Sequence, residues 1–291
     1  MGGLNTGRLR VAKWAMAAGA TGVVLLAVTG AVSGQTERDP LIVKAADYVR
    51  GYTKSMASVV CEEHQTQRVV KYDGKVNKTR EIVSDVAFVD TGGGHPFSLV
   101  VFRDVMTIDG KPVRNREERL RKLLLSDRKE ESHKQAVRIT EEGARYNIGQ
   151  FSGGKGNVDP LVAAVWWFQG DLASGKFTRT ENTVNFSHGN RRPADDRSRS
   201  GSLAIRGHYV LDSQGRVAET LWATDDPVFD LRVTVRYREH PNLPVLVPSE
   251  MIRREQVLHK PKTDSSEATV SYANCRQFQV TVEETIQLPT P

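Results

Sequence analysis

A chain of 291 residues, 38% hydrophobic and 26% charged, has ample material for a packed core. Its formal charge of +6 drops by three, to about +3, once Arg8, Arg10 and Lys13 of the amino-terminal segment are set aside, too mild a balance to argue for nucleic acid. The seven histidines are scattered without an HExxH motif or a close pair, so a sequence-local metal site is unsupported and no cofactor is called for.

Residues 1–33 have the organisation of an export signal. Arg8, Arg10 and Lys13 form the basic region, 14–28 the apolar core, and Ala31, Val32, Ser33 and Gly34 a small-residue cleavage region. The apolar core is rich in Ala and Gly and falls short of the ~20 residues a spanning helix needs, so the alternative of an uncleaved membrane anchor is the weaker one. Arg8-Leu9-Arg10 is not a twin-arginine pair, and no Cys stands near the cleavage region to take a lipid. The expectation is a periplasmic or secreted protein, peripheral to the membrane at most, with one domain over 34–291. In an oxidising compartment Cys61 and Cys275 read more readily as a bridge than as a site, the competing outcome being two separately buried thiols.

In chain order, Asp39 and Pro40 supply an N-cap and a first-turn proline, and Leu41, Ala45, Tyr48, Tyr52, Met56 and Val59 recur at helical spacing up to about Cys61. Strands follow at 65–72 and 75–89 about Asp73-Gly74, a hairpin signal, then at 97–106 and 107–113 about Asp109-Gly110. Helical, heavily charged stretches occupy 115–125 and 127–146; the alternating signs of Arg114, Arg116, Glu117, Glu118 and Arg119 favour a solvated surface over a phosphate-binding face. Asp159-Pro160 opens a short helix at 161–168, apolar at every position and therefore expected in a buried setting. Strands then fill 176–186, 202–211, 216–223, 229–237, 247–258 and 268–286, the last broken near Asn274.

The firmest of these is 229–237, where Phe229, Leu231, Val233, Val235 and Tyr237 alternate with Asp230, Arg232, Thr234 and Arg236. Perfect alternation means one dry and one wet face, which is the mark of an antiparallel sheet, since a parallel sheet covered on both sides reads as an unbroken apolar run. About ten antiparallel strands with helices at the start and in the middle make an α+β fold.

Catalytic signatures are lacking. Gly149, Gly154 and Lys155 have the spacing of a phosphate-binding loop, but Gly156 stands where Ser or Thr must hold magnesium. Ser152 and Lys155 have the SxxK spacing of an acyl-enzyme without its partner motifs. Glu62-Glu63-His64 reads as surface charge, and convergent carboxylates drawn from Asp104, Asp225 and Asp226 carry no local signature for hydrolysis. The apolar inventory says more. Trp166, Trp167 and Phe168 on one short helix, with Trp222, Phe229 and Tyr237 on strands, form a core or line a hydrophobic cavity suited to an acyl chain.

In its carboxyl-terminal half, Arg216-Val217 after a tight turn, the alternation 233–237, Leu246-Val247-Pro248 before Glu250-Met251, and Val270-Ser271-Tyr272-Ala273-Asn274 before Phe278 resemble the LolA-like periplasmic lipoprotein carriers. Nearly everything after residue 40 is similar to a group of uncharacterised exported acidobacterial proteins through Phe102-Arg103-Asp104, Asp109-Gly110-Lys111-Pro112-Val113 and Ala144-Arg145-Tyr146-Asn147-Ile148-Gly149. The first resemblance implies a large curved antiparallel sheet, a half-open barrel with helices on its concave face. It also implies a lipid or lipoprotein as ligand, or an envelope protein as partner in a stress-sensing module. A non-catalytic carrier for an apolar or acylated ligand is the leading expectation, the interaction module the alternative, and a hydrolase the least supported.

Overall fold

The computed structural model describes residues 39–57, 59–90, 99–116, 129–149, 176–188, 204–258 and 262–277. The expected helix at 161–168, with Trp166, Trp167 and Phe168, lies outside them, as do the signal at 1–33 and most of the helical stretch 115–125.

Helix α1 (Pro40–Met56) starts where the cap chemistry places it: Asp39 Oδ1 accepts the Leu41 amide at 2.8 Å, satisfying one of the first-turn N–H groups. Strand β1 (Val59–Val70) follows at once, so the helix ends before the expected Cys61, which is already in the sheet. Strand β2 (Val76–Asp90) pairs with β1 about Asp73-Gly74 and β3 (Leu99–Ile108) with β4 (Lys111–Pro112) about Asp109-Gly110, the two expected hairpins, and helix α2 spans Lys129–Ala144. The expected strand 176–186 is two, β5 (Lys176–Thr180) and β6 (Thr183–His188), because Glu181 takes a positive φ of 53° and turns the chain. Next come β7 (Ile205–Leu211), β8 (Val217–Thr224), β9 (Phe229–His240), β10 (Leu243–Val257) and β11 (Ser265–Gln277). Asn274, where a break was expected, has a positive φ of 49° and faces a register shift in β1 between Val60 and Glu62.

The eleven described strands form one sheet in the order β4-β3-β2-β1-β11-β10-β9-β8-β7-β6-β5, antiparallel throughout and not closed on itself. Among the described strands the one junction between partners not consecutive in sequence, β1 on β11, is stitched by the Cys61–Cys275 disulfide. Of the two outcomes open to the cysteines, the bridge is the one formed. It spans 214 residues, and in the chain-entropy view a loop of that length stabilises the fold by about 5 kcal/mol.

The two described helices lie on the same face. α1 buries Ile42, Ala45, Ala46, Val49, Tyr52 and Met56 against the inward side chains of β6 to β11. Tyr52 meets Tyr237 edge-on at 6.2 Å between ring centroids, and the Leu246 amide donates to the Tyr48 hydroxyl at 3.3 Å. α2 sits over β3, where a Cβ on Gly143 would come within 3.3 Å of Val105 Cγ2. The turn after α2 is tied to β1 by Gln67, whose amide donates to Asn147 Oδ1 at 2.6 Å and accepts the Ile148 N–H at 2.9 Å.

Candidate functional site

Registers alone place one row of inward side chains across nine strands: Arg80, Gln67, Ala268, Arg253, Val233, Trp222, Gly207, Phe186 and Phe177, running from β2 to β5. At about 4.8 Å per strand the row covers ~40 Å of sheet. Its two ends differ chemically. From β9 to β5 it is apolar and aromatic; from β2 to β10 it is mostly polar or cationic. Gly207 belongs to the aromatic end because nothing larger fits: a Cβ there would lie 2.6 Å from Phe186 Cζ and 2.8 Å from Trp222 Cα.

In the polar end, inward positions that hydrophobic residues hold elsewhere carry charge. Glu63 is fully buried and receives both prongs of the Arg103 guanidinium, Nε at 2.7 Å and Nη2 at 2.8 Å. Arg253 pairs with Glu255 two residues along the same strand. Burial pushes the Arg253 guanidinium down to about 10, with the like charge of Arg103 adding to the shift; it stays protonated at neutral pH. The cations are the less enclosed partners, with 11% of the Arg253 and 9% of the Arg103 side chain exposed against 6% for Glu255 and none for Glu63. Ser84, fully buried and opposite Glu63 on β2, has no hydrogen-bond partner for its hydroxyl among the described residues.

Glu63 is therefore not the surface charge expected of Glu62-Glu63-His64. Glu62 and His64 do face outward, where Glu62 bonds to His64 and Asn274, but Glu63 lies between them on the opposite face. The signal that finds it is parity: Val59 and Cys61 are inward, so Glu63 and Gln67 are too. In β10 the pattern is inverted, with Ile252 outward and 42% exposed while Arg253 and Glu255 turn in.

The remaining sequence candidates fall as follows. Trp222 and Tyr237 are buried in the core beneath α1, and Phe229 is partly buried against it; Trp166, Trp167 and Phe168 are outside the described residues. Asp104 is buried on the outer face opposite Asp85, and Arg116 bridges both, its Nη2 2.7 Å from Asp85 Oδ2. Arg116 thus serves as a half-buried clamp between like charges and not as part of a solvated helix surface. Asp226 Oδ1 accepts the Val228 and Phe229 amides at 2.8 and 3.0 Å, a turn-forming role. Gly149 of the phosphate-loop spacing is a close-approach residue, with φ of 65° and room only for hydrogen beside Ser266 Oγ. Two open grooves, of about 450 and 480 Å³, flank the β9–β10 turn near Pro244 and the β3–β4 turn near Lys111; neither is lined by the aromatic candidates. Among the described residues no group of three His, Cys, Asp or Glu side chains converges as metal ligands do, and no helix is long and apolar enough to cross a membrane.

The chain matches no family model, no curated protein and no solved structure.

Proposed function

We propose that this is an exported, non-catalytic binding protein for an acylated ligand with an acidic head, a lipid or lipoprotein carrier of the kind the LolA-like resemblance implies. The observation that carries the reading is the chemical gradient along one inward row, from Arg253 through Val233 and Trp222 to Phe186 and Phe177. Val233, Trp222 and Phe186 are buried, so an acyl chain reaches the aromatic end only by displacing what covers it, and gains about 0.8 kcal/mol per methylene removed from water. Its acidic head meets Arg253 and Arg103, whose side chains are the more exposed halves of their ion pairs. A carboxylate or phosphate there forms charge-assisted hydrogen bonds in a setting where water screens little. The Cys61–Cys275 bridge accords with an oxidising, exported location.

The test compares a fluorescent long-chain fatty acid with the matched alcohol. Binding of the acid at least tenfold tighter than the alcohol, reduced to the alcohol's level by Arg253→Met, supports the reading. Equal binding of the two, or none of either, overturns it. Native mass spectrometry of protein isolated without detergent supplies the natural ligand's mass.

A further inference from the structure

Of the described apolar side chains on the surface, the two most exposed stand together at the tip of the β1–β2 hairpin: Tyr72 at 60% and Val76 at 55%. Every residue from 71 to 79 is exposed, so the tip projects beyond the body of the sheet. It is nonetheless well built. The Lys71 amide donates to Lys75 O and the Gly74 amide to Lys71 O, both at 2.9 Å, and the Lys75 amide donates to Asp73 Oδ1 at 3.1 Å. Lys262, from the segment leading into β11, places its Nζ 5.6 Å from the centre of the Tyr72 ring.

The surroundings of these two side chains are basic. Lys71, Lys75, Lys78 and Lys262 are all exposed, and the acids nearby are Asp73, which pairs with Lys75 at 3.7 Å, and Asp264. An aromatic and an aliphatic side chain held out on a rigid turn amid lysines is poorly suited to a stable protein interface, which buries roughly 1,000 Å² or more. It suits the headgroup layer of a bilayer, where Tyr rings settle at the polar boundary and lysines gain from anionic lipid.

We propose that the β1–β2 hairpin tip docks the protein on an anionic phospholipid surface, with Tyr72 and Val76 entering the headgroup layer and Lys71, Lys75, Lys78 and Lys262 facing the phosphates. The proposal stands apart from the inner-face ligand, since the tip shares no side chain with that row. Docking of this kind is reversible and weakens with salt.

The experiment is co-flotation of the full chain, processed as it is in the cell, with vesicles of phosphatidylglycerol and phosphatidylethanolamine, and in parallel with phosphatidylcholine alone. Binding to the anionic vesicles is expected, with each Lys→Gln change at the four positions weakening it about fivefold. Tyr72→Ala is expected to weaken it further, and Tyr72→Trp to give an emission shift to shorter wavelength on vesicle addition. All these positions are exposed, and unchanged thermal midpoints confirm folding of the variants. Absence of binding, equal binding to phosphatidylcholine, or insensitivity to the lysine changes overturns the proposal. So does binding to a soluble polyanion with the same affinity together with vesicle binding that Tyr72→Ala leaves unchanged, which marks the tip as an anionic-polymer site.

Discussion

The inner face beneath α1 and the inner face of β1 to β3 belong to one sheet and one register, yet they are held by different physics. Under α1, Tyr52, Met56, Val233, Val235 and Tyr237 exclude water by apolar contact alone. Between one and five strands from β9, Arg253 and Glu255 on β10, Glu63 on β1 and Arg103 on β3 occupy equivalent inward positions, and each carries an ion-pair partner. The lesson is that burial in this sheet is set by strand parity, and chemistry is then fitted to it. A buried charged pair is seldom retained for stability, since apolar residues of the same shape serve as well or better. Its retention beside an apolar surface is what makes this region the functional candidate.

Breaking one partner of the buried pair gives the largest expected effect. Glu63→Ala strands the Arg103 charge and is expected to cost about 3–5 kcal/mol, whereas the double change Glu63→Leu with Arg103→Met is expected to be near neutral or stabilising. Urea unfolding of the two singles and the double, as a double-mutant cycle, measures the coupling. Additive losses mean that the pair is not energetically distinct from the apolar half.

In that apolar half, Met56→Ala removes a fully buried side chain and is expected to cost about 2–5 kcal/mol, with the urea midpoint falling and the slope unchanged. Here a companion truncation on a side chain it does not touch is expected to add to the loss, in contrast to the charged half. Removing the disulfide by substitution, Cys61→Ser with Cys275→Ser, is expected to cost about 2–5 kcal/mol.

A smaller effect concerns the start of α1. The Leu41 amide, followed by Arg179, holds the Asp39 carboxyl below the usual range although burial opposes this. A depressed folded-state pKa contributes stability that is present above the unfolded-state value and is lost as pH falls through the folded one. The thermal midpoint of the wild type should therefore exceed that of Asp39→Asn at neutral pH, the gap closing in acid. A gap that widens in acid reverses the sign and removes the capping account.

The least effect is expected on the outer face, where Arg236, 54% exposed, lies between Glu219 and Glu250. Arg236→Ala should change stability by about 1 kcal/mol or less, and less still in high salt. A loss matching that of Glu63→Ala would show that exposure is not what separates the two classes of ion pair.

Strand β9, the hairpin turns at Asp73-Gly74 and Asp109-Gly110, and the capped start of α1 were all legible, because each depends on neighbours within a few residues. The hairpin turn at Glu181 was not, since Glu and Asn give little warning of a positive φ without a following Gly. The charged strip was half legible. Parity from Val59 and Cys61 marks Glu63 as inward, but a glutamate next to another glutamate and a histidine suggests the surface unless its partner is known. That partner, Arg103, lies 40 residues away.

By itself, then, the amino-acid order determined that one-sided strands would build an antiparallel sheet with an amphipathic helix over its dry face, since period-two and 3.6-residue patterns are local properties of the chain. Only the tertiary structure decided that both helices share that face, that Cys61 meets Cys275, and that Arg103 reaches Glu63. The disulfide forms where β1 joins β11, segments 214 residues apart, and the Arg103–Glu63 pair reaches from β3 across β2 to β1, and no local pattern encodes either meeting.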